Sequence, residues 1–299
     1  MDIILIQGAN QAVHDEKLGT DILKTKWLNY IKSGFIKHGF DVALLNKVNF
    51  KFLYYADLRE NITALVTNEM AFQTMSEHSK LLLESQIEEL EQDPEIKSSL
   101  QAQNNTQTHN NSFPILTPSP LGFTETLIDR IISLLEGKYS AVDKLFVKIV
   151  FKEALYYIDN QKYVKAIQTR LDKIIGDSKD YIILSHSLGT LVAYTHACQA
   201  PQKSIRKLVT MGSPLAIKFV ESLRQKPLVV PSSIITDWIN LYDKEDFVAV
   251  YPLAKPKYNI TPDIDNRIVH TIDSKPHNIQ GYLESEGFCQ LLNNELKSI

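Results

Sequence analysis

Tyr181-Ile-Ile-Leu-Ser-His-Ser-Leu-Gly-Thr190 decides how this chain folds. Tyr181 to Leu184 is a short apolar run of the kind that forms a buried strand, and Leu191-Val-Ala-Tyr194 continues as an apolar helix. Only a sharp turn fits between them. The segment Ser185-His186-Ser187-Leu188-Gly189 matches G-x-S-x-G, in which a strand turns into a helix over a serine held in a strained backbone conformation. Small residues two places before and two after the serine let strand and helix cross closely. Gly189 is one of them, and Ser185 stands where the first glycine would be. The Ser187 hydroxyl then projects above the strand ends, facing the positive N-terminus of the following helix. The Leu188 amide is placed to hold an oxyanion. His186 is turned away from the hydroxyl and reads as a support or pocket residue. The plain alternative is a chance S-x-S-x-G in a strand, turn and helix.

Short apolar runs alternate with helical spacings on both sides of this segment. Ile3 to Ile6 reads as a buried strand ending at Gly8. Ile22, Leu23, Trp27, Leu28, Ile31, Phe35 and Ile36 recur at three- and four-residue steps, which predicts an amphipathic helix. Strands are expected at Asp41 to Leu45, Phe52 to Tyr55, Ile205 to Met211, Ile234 to Tyr242 and Ile268 to Ile272. Helices are expected at Ser79 to Leu90, Leu127 to Leu135, Val142 to Tyr157, Val164 to Ile175, Leu188 to Cys198 and Ile279 to Leu292. Gln101 to Ser112 is poor in apolar residues and reads as a flexible loop. This alternation implies an α/β fold, a mostly parallel sheet with helices on both faces. Residues 1–59 and 161–299 would form the core, and 60–160 a helical insertion capping the strand ends.

The 299 residues include 44% hydrophobic and 22% charged residues, ordinary for a globular protein. A formal charge of −3 gives no global attraction to nucleic acid or anionic membranes. Cys198 and Cys289 make neither a metal-type pair nor a disulfide framework, which suits a reducing compartment. Met1-Asp2 runs directly into Ile3-Ile-Leu-Ile6 with no basic leader, and no apolar stretch approaches a membrane span. A cytoplasmic chain without cofactor or metal is the expectation. His14 and Asp15 invite a metal reading, but no further ligands stand at suitable spacing, and a solvated loop pair is the plainer one. The Glu84 to Glu91 stretch reads as a solvated helix face.

Several segments taken in order resemble the lipase-like serine α/β hydrolases of bacteria: the Ser185-to-Thr190 elbow with its helix, Leu208-Val-Thr-Met-Gly-Ser-Pro214, Asn240-Leu-Tyr-Asp-Lys-Glu-Asp246, and Pro276-His-Asn278 before a final helix. The Ile6-to-Gln11 turn, the Trp27 helix, Tyr54-Tyr-Ala-Asp57 and the Phe146-to-Tyr157 helix extend the likeness over nearly the whole chain. The resemblance implies the α/β-hydrolase fold and a triad running Ser, acid, His in chain order. Ser187 is then the nucleophile. Such proteins carry the acid just ahead of a small apolar pair, a place Asp246 fills before Phe247-Val248; Asp243 at the strand end is the alternative. His277 lies in the loop before the last helix, where an imidazole can return over the elbow as general base. His270, inside the expected last strand, is the competing histidine. The second oxyanion amide falls in the loop after the first strand, where the family usually has His-Gly and this chain has Gln7-Gly8. Ala9 is the choice there, with Asn10 if the loop is shifted by one.

These readings lead to hydrolysis of a carboxylic ester, either a small-molecule or a lipid ester, through an acyl-serine intermediate. Two alternatives stay open: a peptidase or amidase with the same triad, and a non-catalytic partner-binding protein on the same fold. A protein partner that moves the cap is compatible with either.

Overall fold

The computed structural model describes residues 1–9, 15–59, 77–106, 123–140, 142–178, 180–199, 205–224 and 226–299. Six strands form one parallel sheet: β1 (Asp2–Ile6), β2 (Asn49–Leu53), β3 (Tyr181–His186), β4 (Ile205–Met211), β5 (Ile234–Tyr242) and β6 (Asp265–Ile268), in the order β2-β1-β3-β4-β5-β6. Along β1, Ile3 and Leu5 join one core while Ile4 and Ile6 join the other. A strand covered on both faces needs apolar residues at every position, which is why Ile3 to Ile6 shows no alternation. Helix α1 (Glu16–Lys37) covers one face with Trp27, Ile31 and Phe35. Chain order runs from β1 out to β2, then returns to β3 on the other side of β1. The reversal leaves a crevice at the carboxyl ends of β1 and β3, where parallel sheets of this kind place their sites.

Between β2 and β3 lie α2 (Glu77–Gln92), α3 (Pro94–Thr106), α4 (Phe123–Lys138), α5 (Lys144–Asp159) and α6 (Gln161–Ile175). Helix α6 packs on β2 and on α7 (Gly189–Gln199), and belongs to the sheet layer. Of helices α2 to α5, α2 and α5 are fastened instead to the loops that follow β4 and β5, and α3 and α4 pack on the other helices of this group. Gln86 accepts the Phe219 amide at 3.1 Å, Glu89 accepts the Lys218 amide at 3.1 Å and meets Lys257 at 3.1 Å, and the Tyr251 hydroxyl donates to Asp93 at 3.0 Å. Phe151 of α5 stacks on Phe219 with centroids 4.9 Å apart. These anchors stand at the carboxyl end of the sheet. The Glu-rich face of α2 is thus partly an attachment surface rather than a solvated one, because Glu89 finds two partners there.

Other expectations need correction. Asp41 to Leu45 is not a strand: Asp41 accepts the Ala43 amide at 2.8 Å and starts a 3-10 helix, Val42–Lys47, whose Leu45 covers the sheet face. The strand read at Phe52 to Tyr55 begins earlier, at Asn49, and ends at Leu53. Gln101 to Thr106 continue α3, which Asp93 starts by accepting the Glu95 and Ile96 amides; the rest of the expected loop lies outside the described residues. β6 ends at Ile268, where the expected last strand begins, since β5 runs out of pairing at Tyr242. The final helix is two helices, α8 (Ile279–Glu284) and α9 (Glu286–Lys297), broken at Ser285, whose hydroxyl caps α9 by accepting the Phe288 amide. Asp15, read as a loop residue, accepts the Leu18 amide at 2.7 Å as the N-cap of α1. Among the described residues no helix is long and apolar enough to cross a membrane.

Candidate active site

β3 delivers Ser187 into a turn with φ +55°, the left-handed region that non-glycine residues seldom adopt and that costs about 1–3 kcal/mol. The geometry that imposes it is a close crossing. A Cβ on Gly189 would lie 2.5 Å from the Ile6 carbonyl oxygen, and one on Gly8 would lie 2.6 Å from both the Leu188 nitrogen and the Ser187 Cβ. Only glycine fits on either side, so the loop after β1 presses directly on the turn. The neighbouring Ser185 is accommodated because its hydroxyl donates to the Val209 carbonyl at 3.1 Å. Thr190 ties the turn from below, donating to the Ser187 carbonyl at 2.7 Å and pairing with Ser213 at 2.9 Å.

Three of the predicted residues meet over this turn. The Ser187 Oγ stands 2.9 Å from His277 Nε2, and His277 Nδ1 stands 2.8 Å from both carboxylate oxygens of Asp246. An ionised carboxylate can only accept, so Nδ1 carries the proton and Nε2 is free to accept from the serine hydroxyl. Asp246 is fully buried and holds further donors: the Val248 amide at 2.8 Å, the Ala249 amide at 3.2 Å and the Tyr282 hydroxyl at 2.6 Å. Burial alone would push its carboxyl up. Its pairing with His277, with the Tyr282 hydroxyl and the Val248 amide, overcomes that and holds it below the usual carboxylate value. Burial and the Asp246 charge push Tyr282 far above the ordinary phenol value, so it remains a neutral donor.

The competing residues have other partners. Asp243 accepts the Glu245 amide at 2.9 Å and the Thr271 amide at 2.7 Å, tying the start of the loop after β5 to the connection beyond β6. His270 is exposed in the connection beyond β6, not within a strand. His186 lies against His277: its Nε2 donates to the His277 carbonyl at 3.1 Å, and the two rings sit 4.8 Å apart at 33°. Sequence reasoning missed Tyr282 and Gly212. Gly212, with φ +54°, underlies the dyad; a Cβ there would meet Asp246 Oδ2 at 2.9 Å and His277 Cε1 at 3.1 Å. The available signal for it was the glycine directly after β4. Ala9 is buried in the loop that presses on the turn, and Leu188 immediately precedes α7; Asn10 and His14 lie outside the described residues.

Ser187 is 1% exposed. Phe146 of α5 and Phe247 approach the His277 ring at 5.3 and 6.1 Å, and a cavity of about 340 Å³ opens on His277 between Asp143, Phe146, Phe247, Ser274, Lys275 and Asn278. Among the described residues no group of three or more His, Cys, Asp and Glu side chains is arranged to hold a metal ion. Chemically, the arrangement can withdraw the Ser187 proton onto His277 and stabilise the resulting imidazolium with Asp246.

His186 makes the site sensitive to acid. Burial, reinforced by His277, pulls its pKa from 6.5 down to about 3. The folded value is depressed, so the unfolded chain binds the extra proton first. The stability that comes from keeping His186 neutral is fully present above pH 6.5 and is lost progressively as pH falls toward 3, on the order of 5 kcal/mol in all. The urea midpoint should therefore fall between pH 7 and pH 4, and fall less in His186→Gln. Equal acid sensitivity in both proteins would assign the effect elsewhere.

No protein-family model matches the chain, and no curated protein sequence matches it.

Proposed function

We propose that this chain is a serine hydrolase of the α/β-hydrolase fold that cleaves a carboxylic ester through an acyl-serine intermediate. One observation carries the reading: a serine at φ +55° between a parallel strand and a helix, hydrogen-bonded to a histidine that is itself held by a buried carboxylate. A serine used only for packing has no need of a strained backbone or of a buried, four-donor carboxylate behind its partner. Such an arrangement argues against a purely partner-binding role.

In the proposed reaction Ser187 Oγ attacks the ester carbonyl carbon while its proton passes to His277 Nε2. The Leu188 amide and the amide of Ala9 take the oxyanion. The carbon–oxygen bond to the alcohol then breaks, and His277 returns the proton to the departing oxygen. Water attacks the acyl-serine by the same route, with His277 as base, and releases the acid. Asp246 keeps the imidazole in the tautomer that accepts at Nε2 and stabilises its charged form. Helices α2 to α5 act as the cap over this chemistry, since Phe146 of α5 lies against His277. With Ser187 enclosed, substrate entry needs that cover to shift. Two unpaired cysteines suit the expected reducing compartment.

The test is covalent. A fluorophosphonate probe should label the native protein at Ser187, with labelling abolished in Ser187→Ala and in heat-unfolded protein. Absence of labelling of the folded chain would refute the reading. A panel of esters run beside peptide substrates decides between esterase and peptidase.

A further inference from the structure

We infer that the cavity in front of His277, walled by Phe146 and Phe247, is the subsite for the departing alcohol and selects esters of aromatic alcohols. The inference rests on the serine-hydrolase reading above. His277 Nε2 is the atom that must return a proton to the leaving oxygen, so that oxygen passes within hydrogen-bond reach of the imidazole. The acyl carbon is fixed at Ser187, and its oxygen is drawn toward the Leu188 and Ala9 side of the turn. The rest of the alcohol must therefore extend over the His277 side, and that is where the cavity lies, with His277 itself in its wall.

Two features of the wall point to the ligand class. The Phe146 and Phe247 rings stand edge to face, 6.4 Å apart at 77°, and both face the imidazole. A third ring placed in that corner can stack on one phenylalanine and meet the edge of the other, the arrangements aromatic rings favour. At about 340 Å³ the space is at the small end of the ~300–1,000 Å³ range of ligand pockets, which suits a single ring on a short linker rather than a bulky glyceride body. The placement of Phe146 is also well defined. Asp143, another wall residue, caps α5 by accepting the Phe146 amide at 3.0 Å, and Phe146 is only half-buried, leaving part of its ring on the cavity. Specificity would then be set by a cap residue, so the cap does more than exclude water.

The decisive experiment compares 2-phenylethyl acetate with ethyl acetate. Both give the same acetyl-enzyme, and their alcohols have similar acidity, so the ratio of kcat/KM isolates recognition of the alcohol. The native protein should favour the phenylethyl ester by about tenfold or more, and Phe146→Ala should reduce that ratio by about tenfold. Phe146→Leu should fall between them, and Phe146→Trp, which fills the corner, should also lower the ratio. Because both esters are measured on one preparation, partial misfolding cancels. An unchanged ratio in Phe146→Ala overturns the inference, as does a Phe146 dependence that tracks acyl length between ethyl acetate and ethyl hexanoate instead. Fluorophosphonate labelling of Ser187 separates the two levels: labelling without a change in ratio removes only the subsite, while no labelling and no hydrolysis remove the hydrolase reading with it.

Discussion

Ser187→Ala is expected to lower kcat/KM for ester hydrolysis by about five to six orders of magnitude while the protein stays folded. The side chain has one described polar contact, His277 Nε2 at 2.9 Å, and removing the oxygen takes away the only atom able to form the acyl bond. The turn does not depend on that oxygen. The Ser187 amide donates to the Met211 carbonyl at 3.0 Å, and its carbonyl accepts the Thr190 amide at 2.9 Å and hydroxyl at 2.7 Å, all backbone contacts that alanine keeps. Alanine at φ +55° carries the same steric cost as serine, so the melting temperature should move by no more than about 2–4 °C. Residual turnover would reflect binding and the oxyanion amides alone. A folded Ser187→Ala protein with native turnover would show that the acyl group is carried elsewhere.

The turn was legible because its constraints are local. Strand, small residue, serine, small residue and helix follow one another within Tyr181 to Tyr194, so the pattern can be read without any distant contact. β4 and β5 were readable to the residue because each holds a cluster rich in β-branched and aromatic residues, Leu208-Val-Thr-Met211 and Trp238-Ile-Asn-Leu-Tyr242, at its buried end. Asp41 to Leu45 misled because four apolar residues in five also suit a short helix lying flat on the sheet, and the Asp41 cap decides between them. The expected loop at Gln101 to Ser112 misled through composition. Its first six residues contain no helix breaker and simply extend a helix whose start, at Asp93, is fixed by capping.

The site divides along the same line. Ser187 and His277 follow from pattern and chain order, whereas Tyr282 acts on Asp246 across 36 positions, a contact set by how α8 packs and not by any local motif. Asp243 and Asp246 are both turn-shaping carboxylates three residues apart, so spacing alone leaves them nearly equivalent. What separates them is the direction each side chain takes after β5. Asp243 turns toward Thr271 and stays structural, while Asp246 turns beneath the imidazole.

That difference gives the second large effect. Asp246→Asn should lower kcat/KM by about four orders of magnitude, and Asp243→Asn by less than about tenfold. The asparagine is nearly isosteric, so the loss comes from hydrogen polarity rather than shape. Oδ1 of Asp246 accepts the Val248 and Ala249 amides, which can only donate, and this fixes the carbonyl of an asparagine at that position. Its NH2 must then replace Oδ2, facing the Tyr282 hydroxyl and His277 Nδ1. Tyr282 can rotate its hydroxyl to accept. The hydrogen on His277 Nδ1 then meets a donor where Oδ2 was and keeps only Oδ1, which it must share with the Val248 and Ala249 amides, so the imidazole shifts toward the tautomer with hydrogen on Nε2. That atom then presents a hydrogen to Ser187 and can no longer take the serine proton. In Asp243→Asn the Glu245 and Thr271 amides compete for one carbonyl, which should cost about 1–3 kcal/mol of stability but leave the dyad in place. Kinetics and urea unfolding on both variants check the pair: the first should be inactive and nearly as stable as the native chain, the second active and less stable. An active Asp246→Asn beside an inactive Asp243→Asn would move the acid to Asp243.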